Sequence, residues 1–241
     1  VGQNTRNNRN ISVIDADSNA TALHLERISN VNINNLSIKN GLGERGGGLF
    51  ISKSESISLS GVDIFENSSN KGGGIHALDS YPNLSDVRLE DNDATSGRGG
   101  GLFIMNSISN DRNSDDEAIL ENVRIIGNKV SSDNRNPAKG GGIYTHNTSF
   151  NFQNVILEGN AALGSDSRGG GIYAYADISE DGRAYSSDGV YGSSNSNSNY
   201  SDEGGAFFFE NQNILIDNVE ITGNLSQNEA GGIFARNSNI R

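Results

Sequence analysis

Side chains able to do chemistry recur at regular intervals in this chain. Aromatic or imidazole rings stand at His24, Phe50, His76, Phe103, Tyr144, Tyr173, Phe208 and Phe234. Rings open to solvent can stack on sugars or seat in a partner protein. Asparagines recur at Asn67, Asn92, Asn128, Asn160 and Asn224. A carboxamide both donates and accepts, so stacked copies can bond to one another. Asp111, Asp115, Asp116 and Glu117 could gather a calcium ion, because a hard cation wants several oxygens. Their spacing fixes no such site, and a solvated acidic loop also accounts for them. His24, His76 and His146 are the only histidines. The first two share the ring positions, with no acid–base partner beside either. No nucleophile motif, phosphate loop or metal-ligand cluster is apparent, and the absence of cysteine excludes disulfides and thiolate metal sites.

The elements that must position these residues are set by a repeat. Gly46-Gly47-Gly48-Leu49-Phe50-Ile51 returns at Gly72, Gly99, Gly140 and Gly169, with looser copies at Gly204 and Ala230. Ala22-Leu23-His24-Leu25 fits the same columns without glycines. The apolar residue after each triplet falls at 23, 49, 75, 102, 143, 172, 207 and 233, in steps of 26, 26, 27, 41, 29, 35 and 26. A basic period near 26 with insertions marks a repeat architecture. Between the triplets runs a second motif, apolar-x-apolar-x-x-Asn, as in Val62-Asp63-Ile64-Phe65-Glu66-Asn67. Alternating pairs such as Ile57/Leu59 and Phe150/Phe152 precede it.

Period-2 alternation in such short runs predicts strands and no helix. Three short strands fit one period. The fold expected is an all-β, right-handed, single-stranded parallel β-helix of about eight coils over residues 1–241. Equivalent strands then stack at ~4.8 Å, giving a rod of roughly 35–40 Å. Insertions are expected at 106–117, 129–139 and 177–203. Within a strand the residue after the core position must face outward, so the ring column is expected to form an exposed contact surface. The competing reading is that the rings only stabilise the sheet by stacking, or lie under the chain's own insertions. If the column is the contact, alanine at Phe103, Tyr144 and Tyr173 should abolish association and leave the rod folded. The Asn column reads as structural.

A formal charge of −12 argues against nucleic acid or an anionic membrane as partner. No apolar run is long enough to span a bilayer. The chain opens on Val1 and stops at Arg241 just as Asn239-Ile240 begins a strand, which reads as a processed product or an excerpt of a longer protein. Among the Asn-x-Ser/Thr sequons, Asn199 is the one where a glycan is expected to be tolerated.

The alternation of Gly-Gly-small-apolar with apolar-x-x-Asn resembles the repeats of polymorphic outer membrane proteins, within the wider class of bacterial secreted β-helix proteins. The matching segments are Ile64–Asn67, Leu89–Asn92, Ile125–Asn128, Leu157–Asn160 and Ile221–Asn224, with the triplets above. Ile or Leu replaces the Phe that family favours, and Gly its Ala. The resemblance implies a secreted or surface-displayed protein, an adhesin or autotransporter passenger, and brings no catalytic residues. The expectation is therefore a non-catalytic rod for adhesion or surface assembly. Its partner would be another protein, a second copy or a surface glycan. A polysaccharide-degrading lyase or hydrolase is the alternative.

Overall fold

The computed structural model describes residues 12–106, 117–132, 136–178, 190–215 and 219–241, with the side chains of 190–195 set aside. It is an all-β parallel solenoid. One eight-stranded sheet holds the segments after the glycines: Leu23–Glu26, Leu49–Ser52, Ile75–Leu78, Leu102–Met105, Ile143–His146, Ile172–Tyr175, Phe207–Glu210 and Ile233–Arg236. All neighbours are parallel and in register, so Leu49, Ile75, Leu102, Ile143 and Ile172 stand one above another. A twelve-stranded sheet carries the alternating pair and the apolar-x-apolar segment of successive coils. The bend between those two segments falls on Asn35, Gly61, Asp86, Asn122 and Asn154, each with positive φ. Residues with short polar side chains, or none, are those that tolerate that conformation.

The coil contains one more strand segment than alternation indicates. A seven-stranded sheet begins directly after the Asn column and includes Ser68–Lys71, Asp93–Arg98, Lys129–Ser131 and Ala161–Leu163. Each buries a single side chain, Ser69, Ala94, Val130 or Ala162, and Ala94, Val130, Ala138 and Ala162 form a small cluster of their own. One inward residue per strand makes no visible period, which is why the segment is silent in the sequence.

The triplets turn the chain from this sheet into the eight-stranded one. Gly72 adopts φ +64, a conformation costly for other residues. At Gly73 a Cβ would lie 2.4 Å from the carbonyl oxygen of Asp93, so the next coil's backbone occupies the space of a side chain.

The inward columns form one continuous core. Ile38, Ile64, Leu89, Ile125 and Leu157 are fully buried and stacked in register. Burying each such side chain contributes about 1.5–3 kcal/mol. The column continues through Ser196, which pairs with Leu157 and is also fully buried.

That serine belongs to a complete coil, so the extra residues occupy less of the chain than the repeat steps suggest. Val190–Asn197 and Tyr200–Glu203 are regular strands inside the expected 177–203 insertion. Lys129–Ser131 is likewise a regular strand, so the lengthening expected at 129–139 begins after Ser131. Glu117 opens the strand Glu117–Glu121. Asp111, Asp115 and Asp116 lie outside the described residues, and the calcium reading with them.

The Asn columns lie at the corner after the twelve-stranded sheet. Asn67 Nδ2 donates to Asn92 Oδ1 at 3.0 Å, Asn92 to Asn128 at 3.0 Å, and Asn128 to Asn160 at 3.0 Å. Each Oδ1 also accepts from the backbone N–H of the coil before it, as in Asn92 N to Asn128 Oδ1 at 3.0 Å. Gly41 takes the position below Asn67, and its N–H donates to Asn67 Oδ1 at 2.8 Å. Asn199 is a rung of this ladder that the degenerate repeat conceals. It bonds to Asn160 on one side and Asn224 on the other, and it is fully buried. The expectation that Asn199 could carry a glycan is therefore corrected: its amide is used and enclosed.

Candidate binding face on the eight-stranded sheet

Alternation points the ring column away from the core, and the rings form an unbroken stack. Centroids are 4.7 Å apart for His24–Phe50, 5.4 Å for Phe50–His76 and 4.3 Å for His76–Phe103. The stack continues at 5.0 Å to Tyr144, 5.5 Å to Tyr173, 5.2 Å to Phe208 and 4.8 Å to Phe234. Adjacent rings from Phe103 to Phe234 lie within 18° of parallel, on strands whose register sets each ring directly above the last.

The column is not an exposed surface. His76, Phe103, Tyr144, Tyr173 and Phe208 are buried, at no more than 3% exposure. Phe50 and Phe234, towards the ends, are half-buried. This corrects the expectation drawn from alternation, which gives a side chain's direction but not what stands beside it. Phe103, Tyr144, Tyr173 and Phe208 make a hydrophobic cluster separate from the main core, with Met105, Tyr175 and Phe234 packed against it. Alanine at Phe103, Tyr144 and Tyr173 would thus remove a packed spine, not a docking patch.

Cations cover the other side of the rings. The residue immediately before each of the five full glycine triplets is basic: Arg45, Lys71, Arg98, Lys139 and Arg168. These five are register partners through successive coils. Arg98 Cζ lies 5.4 Å from the Tyr144 centroid, Lys139 Nζ 4.6 Å from Tyr173, and Arg168 Cζ 5.2 Å from Phe208. Each is within reach of a favourable cation–π contact. Arg45 is exposed and the other four are half-buried. Above Arg168 the row changes sign at Glu203, and Arg168 Nε donates to Glu203 Oε2 at 3.0 Å.

Polar groups bridge the rings towards the far side. Lys139 Nζ donates to Tyr173 Oη at 3.2 Å, and Tyr173 Oη donates to Glu210 Oε2 at 2.9 Å. Burial, with Arg168 and Arg98 on either side, lowers the Lys139 ammonium to about 8. Burial and the neighbouring Glu210 push the Tyr173 hydroxyl far above its ordinary value. One coil position along, His146 Nε2 lies 3.0 Å from Asp177 Oδ2, to which Asn147 Nδ2 also donates at 2.9 Å. Burial lowers His146, with Asp177 opposing. His76, sandwiched between Phe50 and Phe103, is lowered to about 4, mainly by burial.

The ring and Asn columns are plain from the repeat. The basic row, and the set Lys139, Tyr173, Glu210, His146 and Asp177, are not drawn from it. For the row the signal was present: a basic residue abutting each full triplet. For Asp177 and Glu210 there was none, since their partners His146 and Tyr173 lie 31 and 37 residues away in the chain. Among the described residues no group of three or more His, Asp or Glu is placed to hold a metal ion. No described helix is long and apolar enough to cross a membrane. No family model, curated protein or solved structure matches the chain, so the resemblance to polymorphic outer membrane repeats rests on its repeat pattern alone.

Proposed function

We propose that the chain is a non-catalytic, extracellular or cell-surface β-helical rod that mediates adhesion or surface assembly along its side. The observation that carries this reading is the coil-by-coil identity of one face: a cation beside a ring, repeated in register at Tyr144, Tyr173 and Phe208. Such a surface repeats along the rod axis and suits an extended partner better than a compact substrate. The buried ring stack acts as a second spine that holds the face straight. The likeness to secreted repeat proteins supports the location.

The experiment is retention of beads bearing the purified chain on layers of surface polymers and matrix proteins. Sedimentation of the free chain would run beside it. Retention, or reversible self-association, is expected. Beads that wash off every layer, from a chain that stays monomeric, would overturn the reading.

A polysaccharide-degrading enzyme is the second reading, favoured by the link from Lys139 through Tyr173 to Glu210. A lysine lowered to about 8 is suited to proton transfer near neutrality. Release of oligosaccharide from acidic or neutral polysaccharides, abolished by Lys139→Met, would decide for it.

A further inference from the structure

We infer that the row Arg45, Lys71, Arg98, Lys139 and Arg168 is a binding site for a linear acidic glycan, a sugar chain bearing a carboxylate or sulfate on successive units, lying parallel to the rod axis. The inference rests on the side-face contact proposed above and names its ligand.

Register sets the pitch. One cation per coil, at the strand separation of ~4.8 Å, gives five charges over ~19 Å. An extended acidic glycan repeats its charge at a comparable interval. Ring contacts account for a cation at Arg98, Lys139 and Arg168 taken singly, but not for an unbroken register of five like charges. Like charges directly opposite one another on neighbouring strands are unfavourable. The same column holds a cation–carboxylate pair at Arg168 and Glu203, 3.0 Å apart. Below that pair, four more coils repeat the cation, in a chain whose formal charge is −12. The cost of that repetition is visible at Lys139, where burial and the two flanking arginines weaken its hold on the proton. A polyanion laid along the row would offset it.

The heads are also held in place. The rings beneath Arg98, Lys139 and Arg168 fix these side chains before any ligand arrives, which reduces the ordering cost of binding.

The same geometry disfavours nucleic acid. Single strands bind by stacking bases on open aromatic faces. Here Phe103, Tyr144, Tyr173 and Phe208 are buried. A duplex winds its phosphates around a broad cylinder, and a straight stripe one residue wide meets few of them.

The test uses the whole chain and three probes: polygalacturonate, a heparin oligosaccharide and a single-stranded oligodeoxynucleotide, with dextran as neutral control. Binding is measured by titration at two salt concentrations. The row variant Arg45→Gln/Lys71→Gln/Arg98→Gln is compared with Arg27→Gln/Lys53→Gln/Arg124→Gln. The second set removes the same charge at three exposed positions elsewhere. An acidic glycan is expected to bind, more weakly in high salt, and to lose about tenfold or more in affinity in the row variant alone. The mutation-free readout is acylation: bound glycan should slow the labelling of Lys71 and leave exposed Lys53 unchanged. That readout stands even if the row variant fails to fold.

No binding of either acidic glycan, equal loss in both variants, unchanged Lys71 labelling, or an oligodeoxynucleotide that binds as tightly would each overturn the inference. Bead retention that acidic glycans fail to compete away would sink this inference and leave the adhesive reading standing. Cleavage of the bound glycan would keep the site and remove the non-catalytic reading.

Discussion

Asn160 Nδ2 donates to Asn199 Oδ1 at 3.0 Å although 39 residues separate them in the chain. The same bond joins Asn67 to Asn92, only 25 residues apart. Spacing along the chain therefore varies while spacing along the rod does not. The amide ladder keeps the same bond from coil to coil whatever the length of chain between its rungs. Buried amides of this kind are satisfied only while every rung is present, which makes the ladder a test of the stacking.

Asn128→Ala removes the acceptor for Asn92 and the donor to Asn160, Leu89 and Ile126. Buried groups left without partners cost about 1–3 kcal/mol each, so a loss of about 3 kcal/mol or more is expected. At Asn224, near the exposed last coil, the same change should cost about 1 kcal/mol. Urea unfolding of the two variants measures the difference. Equal losses would mean that the interior ladder is not load-sharing as described.

The glycine columns give a second comparison. A Cβ on Gly74 would lie 2.6 Å from the carbonyl oxygen of Gly101, whereas on Gly232, in the same column, it would meet only Ile221 Cγ2 at 3.7 Å. Gly74→Ala should destabilise by about 3 kcal/mol, at the upper end of what overpacking costs. Gly232→Ala should change the unfolding midpoint little. A Gly74→Ala protein as stable as the parent would show that neighbouring coils do not approach this closely.

His76 sets an acid limit. Its ordinary value of 6.5 falls to about 4 in the fold, so the unfolded chain binds the proton first as pH drops. Stability contributed by the neutral ring is complete above 6.5 and is lost progressively between 6.5 and about 4. At pH 5 the penalty is about 2 kcal/mol. Phenylalanine would keep the stack between Phe50 and Phe103 and remove the titration. His76→Phe should therefore unfold at higher temperature than the parent at pH 5, with a smaller difference at pH 8. The same difference at both pH values would contradict a buried neutral histidine.

Lys139 acts at the alkaline end. Lowered from 10.5 to about 8, it makes the folded chain release its proton before the unfolded chain does. Its charge thus opposes folding below about 8, and that opposition is relieved as pH rises from 8 to 10.5. Glu210 faces it from the far side, Arg98 and Arg168 flank it, and Tyr173 accepts its bond. In the parent, stability should rise between pH 8 and 9.5 relative to Lys139→Met. Parallel stability curves for the two proteins would place the ammonium in solvent.

The parallel coil was legible because its strongest columns repeat on a single period, and apolar alternation reads directly as strand. The fourth segment was not, since Ser69, Ala94 and Ala162 are too small and too isolated to make a period. The coil through Ser196 and Asn199 was hidden for a related reason. Its inward position beside Leu157 carries Ser196, and Asn199 Nδ2 donates to Ser196 Oγ at 2.9 Å, so polar residues pass as core. At the candidate site, direction was legible and burial was not. Tyr144 and Tyr173 point outward from the main core. They are nonetheless enclosed by Arg98 and Lys139 on one side and by their neighbours in the stack on the other. Lateral neighbours such as these come from a sheet that the sequence does not announce.

Hydroxyl-radical footprinting of the folded chain, read by mass spectrometry, tests the stacked and enclosed rings most directly. Phe103, Tyr144, Tyr173 and Phe208 should remain unlabelled until the rod unfolds, while Leu215 and Leu225, at 51% and 61% exposure, label readily. Labelling of Tyr144 and Tyr173 in the folded protein as fast as that of Leu225 would contradict the account.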